Sequence, residues 1–486
     1  MNLAAAEYLR GPAKRLLIGG RWLEASSGEV FATTNPATEQ HIVAAASGGA
    51  NDIDAAVKAA RAALETPAWA KMNPHDRTRA LLRVADIIDR NATELAAIET
   101  VNTGMPITVS QQLVAGAAEV FRYYAGWVTK LYGETNPSRN GILNFTIREP
   151  VGVCAAIVPW NGPLGSLAWK LAPALACGNT VILKPAEQTP LSAVRFGELF
   201  LECDLPPGIV NIVTGFGETA GAALVRHPGI DKISFTGSTS VGMEIARSTA
   251  GLKRMTLELG GKSPNIIFAD ADLDAAAQAA VQSFCALSGQ RCIAGTRIFV
   301  QNSIRSEMVA RIVALAAQYP VGDPWDTRTR MGPLISKEHF ERVTAYFEIA
   351  RHDGARLAAG GLSDQKTGYF VNPTVYVDVD NAMRVAQEEI FGPVACVIGF
   401  ESEEDVVQKA NDTAFGLAAA VWTKDFSRGH RLASQIKAGS IGINCYPGSD
   451  PIAPFGGYKQ SGIGRELGIH SLDAYTEIKS VFANVG

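Results

Sequence analysis

From Asn51 onward, apolar residues recur every three or four positions, at Ile53, Ala56, Val57, Ala60 and Leu64. That spacing aligns one face of a helix, with Asp52 as its capping residue. Asn73-Pro74 starts a second helix through Leu81, Leu82, Val84, Ile87 and Ile88, and further helices are predicted over about 92–101 and 110–131. These periodic helices read as scaffold. Before them, residues 16–43 hold short alternating segments broken by glycine and Asn-Pro, a small β region. After them, residues 142–149 alternate like a strand that stops at Pro150. A projecting hairpin is expected there, its exposed edge covered by another subunit.

From Val151 the period changes again. The apolar run Val153–Val158, a loop over 159–164 and a helix over 166–175 lead to a second strand at 180–183. Next come a helix over 192–202, a strand over 209–213, a helix opened by Gly215–Thr219, a strand over 230–235 and a helix over 240–250. Such alternation predicts an α/β chain with a parallel, doubly wound sheet, whose ligands sit outside the carboxyl ends of the strands. Those ends carry Asn161, Lys184 with Glu187, Gly215 with Gly217, and Gly237 with Ser238, so one crevice is expected to receive them all. The second half repeats the texture. Helix 272–287, strand 297–300, helices 303–318 and 337–353, and strands near 370–378 and 394–399 are followed by helix 403–411 and strand 417–422. Helix 427–437, strand 440–444 and a last alternating strand over 474–481 complete it, while the stretches 359–368 and 447–462, rich in Gly and Pro, read as surface or rim loops.

Composition narrows the class. With 486 residues, 47% hydrophobic and 19% charged, the chain has material for a few large cores. A net charge of −4 without basic runs speaks against nucleic-acid and anionic-membrane partners. Seven scattered cysteines with no CxxC pair suit a reduced, cytoplasmic chain, and the histidines show no metal-ligand spacing, so no metal is expected. Residues 1–10 lack a basic segment followed by an apolar one, and no long uninterrupted apolar run occurs, so neither a secretory leader nor a membrane helix is expected.

Two residues stand out for chemistry. Cys292 follows Gly289-Gln290-Arg291 in a polar break between well-formed elements, where the Arg291 cation favours a thiolate and hence a nucleophile. Most free cysteines are buried small hydrophobes instead, a description that fits Cys154, Cys177 and Cys285. Glu258, flanked by apolar residues in Met255–Leu259, has the raised pKa expected of a desolvated general base. The Asn161 amide at a strand end can donate to a developing oxyanion. An acid after the second strand, Glu187, is where dinucleotide folds read ribose hydroxyls, and Gly237-Ser238 before a helix offers N–H donors to a phosphate.

Seven motifs in order carry a resemblance: Pro159-Trp160-Asn161, Lys184-Pro185-Ala186-Glu187, Phe235–Thr239, Leu257–Lys262, Gly289–Cys292, Glu388–Pro393, and Pro454–Gly457 followed by Ser461–Glu466. From about residue 16 to 480 the chain resembles the aldehyde dehydrogenase superfamily, in its NAD(P)-dependent, non-acylating, hydrolytic form. The resemblance implies a Rossmann-type cofactor domain over 1–130 and 150–260, an α/β catalytic domain over 261–455, and oligomerisation segments at 131–149 and 466–486. It implies that Cys292 attacks the aldehyde, that Asn161 and the Cys292 N–H hold the oxyanion, that Glu258 activates the water that hydrolyses the thioester, and that Lys170 and Glu466 relay the proton outward. Implied cofactor contacts are Trp160, Lys184 and Glu187 at the adenosine ribose, Ser238 at the pyrophosphate, and Glu389 and Phe391 on the nicotinamide side, with Val158, Gly217, Gly237 and Leu259 completing the set. NAD is favoured over NADP because Glu187 would face a 2′-phosphate, which Lys184 nevertheless leaves possible. A homodimer or homotetramer is expected.

The same resemblance speaks to substrate. Coenzyme-A-acylating relatives usually lack the Glu that stands here as Glu258, and succinate-semialdehyde-type relatives carry Arg where this chain has Trp169. Gly162, Ser166, Ala286 and Ser449 stand where compact aromatic tunnels carry bulkier groups, so a bulky aromatic or terpenoid aldehyde is expected. Arg291 keeps a semialdehyde or other anionic aldehyde as the alternative. A thiol esterase without redox chemistry would account for Cys292 and Glu258 but not for Glu187 or Gly237-Ser238.

Overall fold

The computed structural model describes residues 3–486; Met1 and Asn2, the start of the stretch read for a leader, lie outside them. The organising element is the strand Val153–Val158, every residue of which is buried. Alternate side chains of a strand point to opposite faces. Thus Cys154, Ala156 and Val158 join one core with Leu81, Val84, Phe121, Leu167, Leu171 and Phe196 from the helices on that face. Val153, Ala155 and Ile157 join another core with Ile53, Val57 and Ala60 on the opposite face. A strand with helices on both faces needs apolar residues throughout, which is why this run does not alternate in polarity.

This strand lies within an eight-stranded sheet ordered Gly462–Ile463, Arg254–Glu258, Lys232–Thr236, Val153–Val158, Thr180–Pro185, Val210–Ile212, Leu16–Ile18 and Arg21–Leu23. The five strands from Arg254–Glu258 to Val210–Ile212 are parallel. The chain moves outward in one direction through Thr180–Pro185 and Val210–Ile212, then returns to build Lys232–Thr236 and Arg254–Glu258 on the other side. That reversal opens a crevice at the carboxyl ends beside Val153–Val158. A second sheet of seven strands is parallel except for its edge strand Arg356–Leu362. A third pairs Thr476–Asn484 with Ile142–Pro150 in continuous antiparallel register, with Thr135–Asn136 beyond.

Several expectations change in detail. Asp52 is not the cap: the helix Ala50–Glu65 is capped by Gly49, and the Asp52 carboxylate reaches back to accept from the Gly49 N–H at 2.9 Å. The helix placed at 110–131 is Ile107–Ala125, with a separate turn Val128–Lys130 after Gly126. Part of the supposed loop 359–368 is the strand Arg356–Leu362, whose register shifts hide its period. The strands Arg254–Glu258 and Pro264–Ile267 escaped notice because each is short and Gly260-Gly261 separates them. The N-terminal helix Leu3–Arg10 was likewise not anticipated. Among the described residues, no helix is long and apolar enough to cross a membrane.

Candidate active site

The crevice deepens into a cavity of about 550 Å³ between the two large sheets, within the range of roughly 300–1,000 Å³ that holds small-molecule ligands. Trp160, Asn161, Gly162, Ser166, Trp169, Gly237, Ser238, Glu258, Leu259, Arg291, Cys292, Glu389, Phe391 and Ser449 all line it. Residues distant in sequence therefore converge on one chamber. Lys184, Glu187, Val158, Gly217 and Ala286 lie outside its wall; Gln188 and Leu287 line it beside Glu187 and Ala286. Lys184 ion-pairs with Glu187 at 3.0 Å, and Gly217 opens a short helical turn, Gly217–Gly221.

Glu258 ends the strand Arg254–Glu258, so the rule that strand ends carry function extends to it. It is 2% exposed, and neither carboxylate oxygen has a hydrogen-bond partner among the described residues. Burial, reinforced by Glu466, pushes its pKa well above the ordinary carboxylate range, against the opposing pull of Lys170 and Arg465. A buried carboxylate without donors is costly to fold, and such a group is set to take up a proton. Ser461 holds its surroundings: the Ser461 carbonyl accepts from the Leu259 N–H at 3.0 Å, and its hydroxyl donates to the Gly260 carbonyl at 2.6 Å.

Behind the cavity, Lys170 and Glu466 are buried and ion-paired. Lys170 Nζ also donates to Thr236 Oγ1 at 2.7 Å and Ser234 Oγ at 3.2 Å, while Ser234 donates to Glu466 at 2.8 Å. Two buried charges are tolerated here because each has its partner and further hydrogen bonds.

Cys292 is half-buried on the cavity wall. Its thiol is pushed up to about 12, chiefly by the protein packed around the sulfur and then by the Glu389 and Glu258 carboxylates; Arg291 only partly offsets them. Arg291 does act in the expected direction, toward the thiolate, but burial and the two carboxylates outweigh it. The Asn161 amide donates one N–H to the Gln290 carbonyl at 2.7 Å, which leaves its second N–H for a ligand. Gln290 accepts from the Ile335 N–H at 2.9 Å and donates to the Leu287 carbonyl at 3.1 Å, bracing the loop that carries Cys292. Gln290 stands within the motif Gly289–Cys292, and nothing in its residue type signals this bracing role.

Ser238, also in the lining, caps the helix Thr239–Ser248 and accepts from the Val241 N–H, so the helix presents its positive end to the cavity. Trp160 packs edge-on against Phe391 and His339, and the His339 ring reaches the Phe391 carbonyl at 2.7 Å. Glu389 accepts from the Gly261 N–H at 2.9 Å, and burial raises it to about 7. The helix Ile107–Ala125, read as scaffold, supplies Leu113, Gly116, Ala117 and Val120 to the wall, a role its periodicity could not reveal. Among the described residues, no three His, Cys, Asp or Glu side chains come together as a metal cage.

A thiol, a proton-accepting carboxylate, an amide donor, a helix N-terminus and aromatic side chains around one cavity suit covalent chemistry beside a phosphate-bearing cofactor. The family model described as "Aldehyde dehydrogenase family" matches residues 22–481 of the sequence. The chain belongs to the aldehyde dehydrogenase family. Human retinaldehyde dehydrogenase 3 is 46% identical over 97% of this chain and 93% of its own length. The mitochondrial aldehyde dehydrogenase of Mesocricetus auratus is 47% identical over 97% and 95%. The NAD+ complex of the Bacillus cereus aldehyde dehydrogenase superposes with a TM-score of 0.98 at 46% identity, covering 100% of this chain and 99% of the other.

One tolerance of this aldehyde dehydrogenase site is set by a glycine. A methyl group on Gly261 would lie 2.2 Å from the Cys292 carbonyl oxygen, so no side chain fits without displacing the loop of Cys292. Gly261→Ala is expected to lower kcat on the order of 10²-fold, the cost of about an ångström of misplacement. Steady-state rates at saturating substrates, with circular dichroism unchanged, check it.

Proposed function

We propose that this chain oxidises a bulky, hydrophobic aldehyde to its carboxylic acid with NAD, through a thioester on Cys292 that Glu258 helps to hydrolyse. The observation that carries the reading is that Cys292 lines the same cavity as a carboxylate, Glu258, that lacks any hydrogen-bond partner among the described residues and whose charge acts on the thiol. Cys292, its thiol proton released to solvent, bonds to the aldehyde carbon, and the oxygen takes its negative charge toward the free N–H of Asn161 and the Cys292 backbone N–H. When bound, NAD would supply the hydride acceptor for that carbon. Glu258 then draws a proton from water as the water attacks the thioester, and the buried pair Lys170–Glu466 is the route by which that proton leaves.

The residues fit such a cofactor. Gly237-Ser238 at a helix N-terminus would suit the pyrophosphate, Trp160 and Glu187, the latter held by Lys184, would suit a ribose with a free 2′-hydroxyl, and Glu389 and Phe391 would take the nicotinamide side. Val158, Gly217 and Leu259 complete the proposed cofactor set. The eight-stranded sheet is assigned to cofactor binding and the seven-stranded sheet to catalysis. The outer strand Thr476–Asn484 exposes Ile478 and Phe482, which supports burial against another copy in a homodimer or homotetramer. Seven free cysteines support a reducing compartment such as the cytoplasm.

Three features support a large substrate. A side chain built at Gly162, Gly165 or Gly116 would meet nothing within 4 Å. Trp169 packs edge-on against Phe455 in the wall, an apolar surface. A retinaldehyde dehydrogenase stands among the similar proteins. Gly162 stands at φ −179° and ψ 63°, outside the left-handed region, and a Cβ there would point into open space. Gly162→Phe is expected to lower kcat/KM for a benzaldehyde-like substrate about tenfold while sparing a short aliphatic aldehyde, roughly the value of one lost methylene contact. Equal effects on both would remove the enlarged tunnel from the account. The activity itself is tested by NADH formation over a panel of aldehydes: a rate with aromatic aldehydes supports the reading, and none with any member refutes it.

A further inference from the structure

We propose that Tyr446 is a positioning residue for the nucleophile: its hydroxyl, donated to the Ile293 carbonyl, fixes the residue after Cys292 and ties that loop to the one carrying Ser449 and Pro451 into the cavity. This rests on the nucleophilic role proposed for Cys292. The Tyr446–Ile293 hydrogen bond is 2.6 Å long and joins positions 153 residues apart in sequence. Tyr446 lies just beyond the edge strand Ser440–Ile443 of the seven-stranded sheet, so its ring is anchored to a rigid element. The fit is close. A methyl group at Gly295 would lie 2.7 Å from the Tyr446 ring and 2.9 Å from its hydroxyl oxygen, so only glycine lets the nucleophile loop pass beneath it.

The Ile293 carbonyl accepts from Tyr446, and the Ile293 N–H, next in the chain to the Cys292 sulfur, acts to lower the thiol pKa. The other charged groups facing that sulfur are Glu389, Glu258 and Arg291, and none of them is linked to Tyr446 by a hydrogen bond. Three residues after Tyr446 the chain reaches Ser449, and Pro451 follows, both in the cavity wall. One phenol thus couples the substrate side of the chamber to the reacting sulfur.

Tyr446→Phe keeps the ring and removes the tie. The test is the rate of Cys292 alkylation by iodoacetamide across pH, read by peptide mass spectrometry, with exposed Cys445 as the internal reference. In the variant, Cys292 alkylation at neutral pH is expected to fall about tenfold, the weight of one hydrogen bond, with its profile displaced to higher pH. The kcat with NAD and benzaldehyde should fall alongside, and KM for NAD should stay within about twofold, since the tie lies on the substrate side. Superimposable Cys292 profiles for the two proteins would overturn the proposal. So would a uniform loss in kcat, NAD affinity and thermal stability without a displaced profile, the mark of a merely structural tyrosine. If alkylating Cys292 in the unaltered protein leaves aldehyde oxidation intact, it is the Cys292 assignment that fails, while the alkylation profiles still judge the tie.

Discussion

Cys292→Ala is expected to abolish aldehyde-dependent NADH formation, with kcat falling by on the order of 10³-fold or more, as for other essential nucleophiles. The variant should fold normally, because the residue is half-buried and faces a cavity rather than a packed core. Its affinity for NAD, measured by fluorescence quenching or calorimetry, should persist, since the helix N-terminus at Ser238 and the wall formed by Trp160 and Phe391 are untouched. Retained turnover would remove the thioester from the account. The esterase alternative separates by the same variant: ester hydrolysis by the unaltered protein without any aldehyde oxidation would favour it.

Glu258→Gln should divide the reaction in two. The steady-state rate is expected to fall on the order of 10²–10³-fold, while the first turnover of NADH, followed by stopped flow, stays within about tenfold, because a lost general base slows hydrolysis rather than thiohemiacetal oxidation. The carboxyl is held well above its ordinary range by burial and by Glu466. It is therefore protonated at low pH and becomes a base as pH rises, so kcat climbs with pH in the unaltered protein and flattens in the variant. Stability moves in the opposite sense. A raised folded pKa means that the folded chain resists losing this proton, a cost absent below the usual 4.5 and growing above it. The variant should gain thermal stability over the unaltered protein at alkaline pH and lose that advantage in acid.

The cofactor half was largely legible because its physics is local. A buried parallel strand reads as an unbroken apolar run, and the loops after such strands announce themselves through Asn161 and Gly237-Ser238. The strand ending at Glu258 was not seen as a strand, yet its carboxylate was singled out by its apolar flanks, and burial is what raises its pKa. Elsewhere local reading ran out. The effect of Arg291 on Cys292 was judged from adjacency in sequence, whereas Glu389, far along the chain, and the packing around the sulfur outweigh it. Ala286 was placed in the pocket by analogy, but the kinked turn after Cys285 brings Leu287 to the wall. The part that Gln290, His339 and the helix Ile107–Ala125 play in the chamber comes from tertiary convergence, which no periodicity encodes.

The central claim is that a thioester forms on Cys292 and that Glu258 is needed to clear it. Rapid quenching of the Glu258→Gln variant after mixing with NAD and benzaldehyde, followed by peptide mass spectrometry, tests this most directly. The account predicts a Cys292 peptide heavier by the aldehyde's mass less two hydrogens, formed in step with the first NADH. NADH accumulating without that adduct, or the adduct on any other residue, would contradict it.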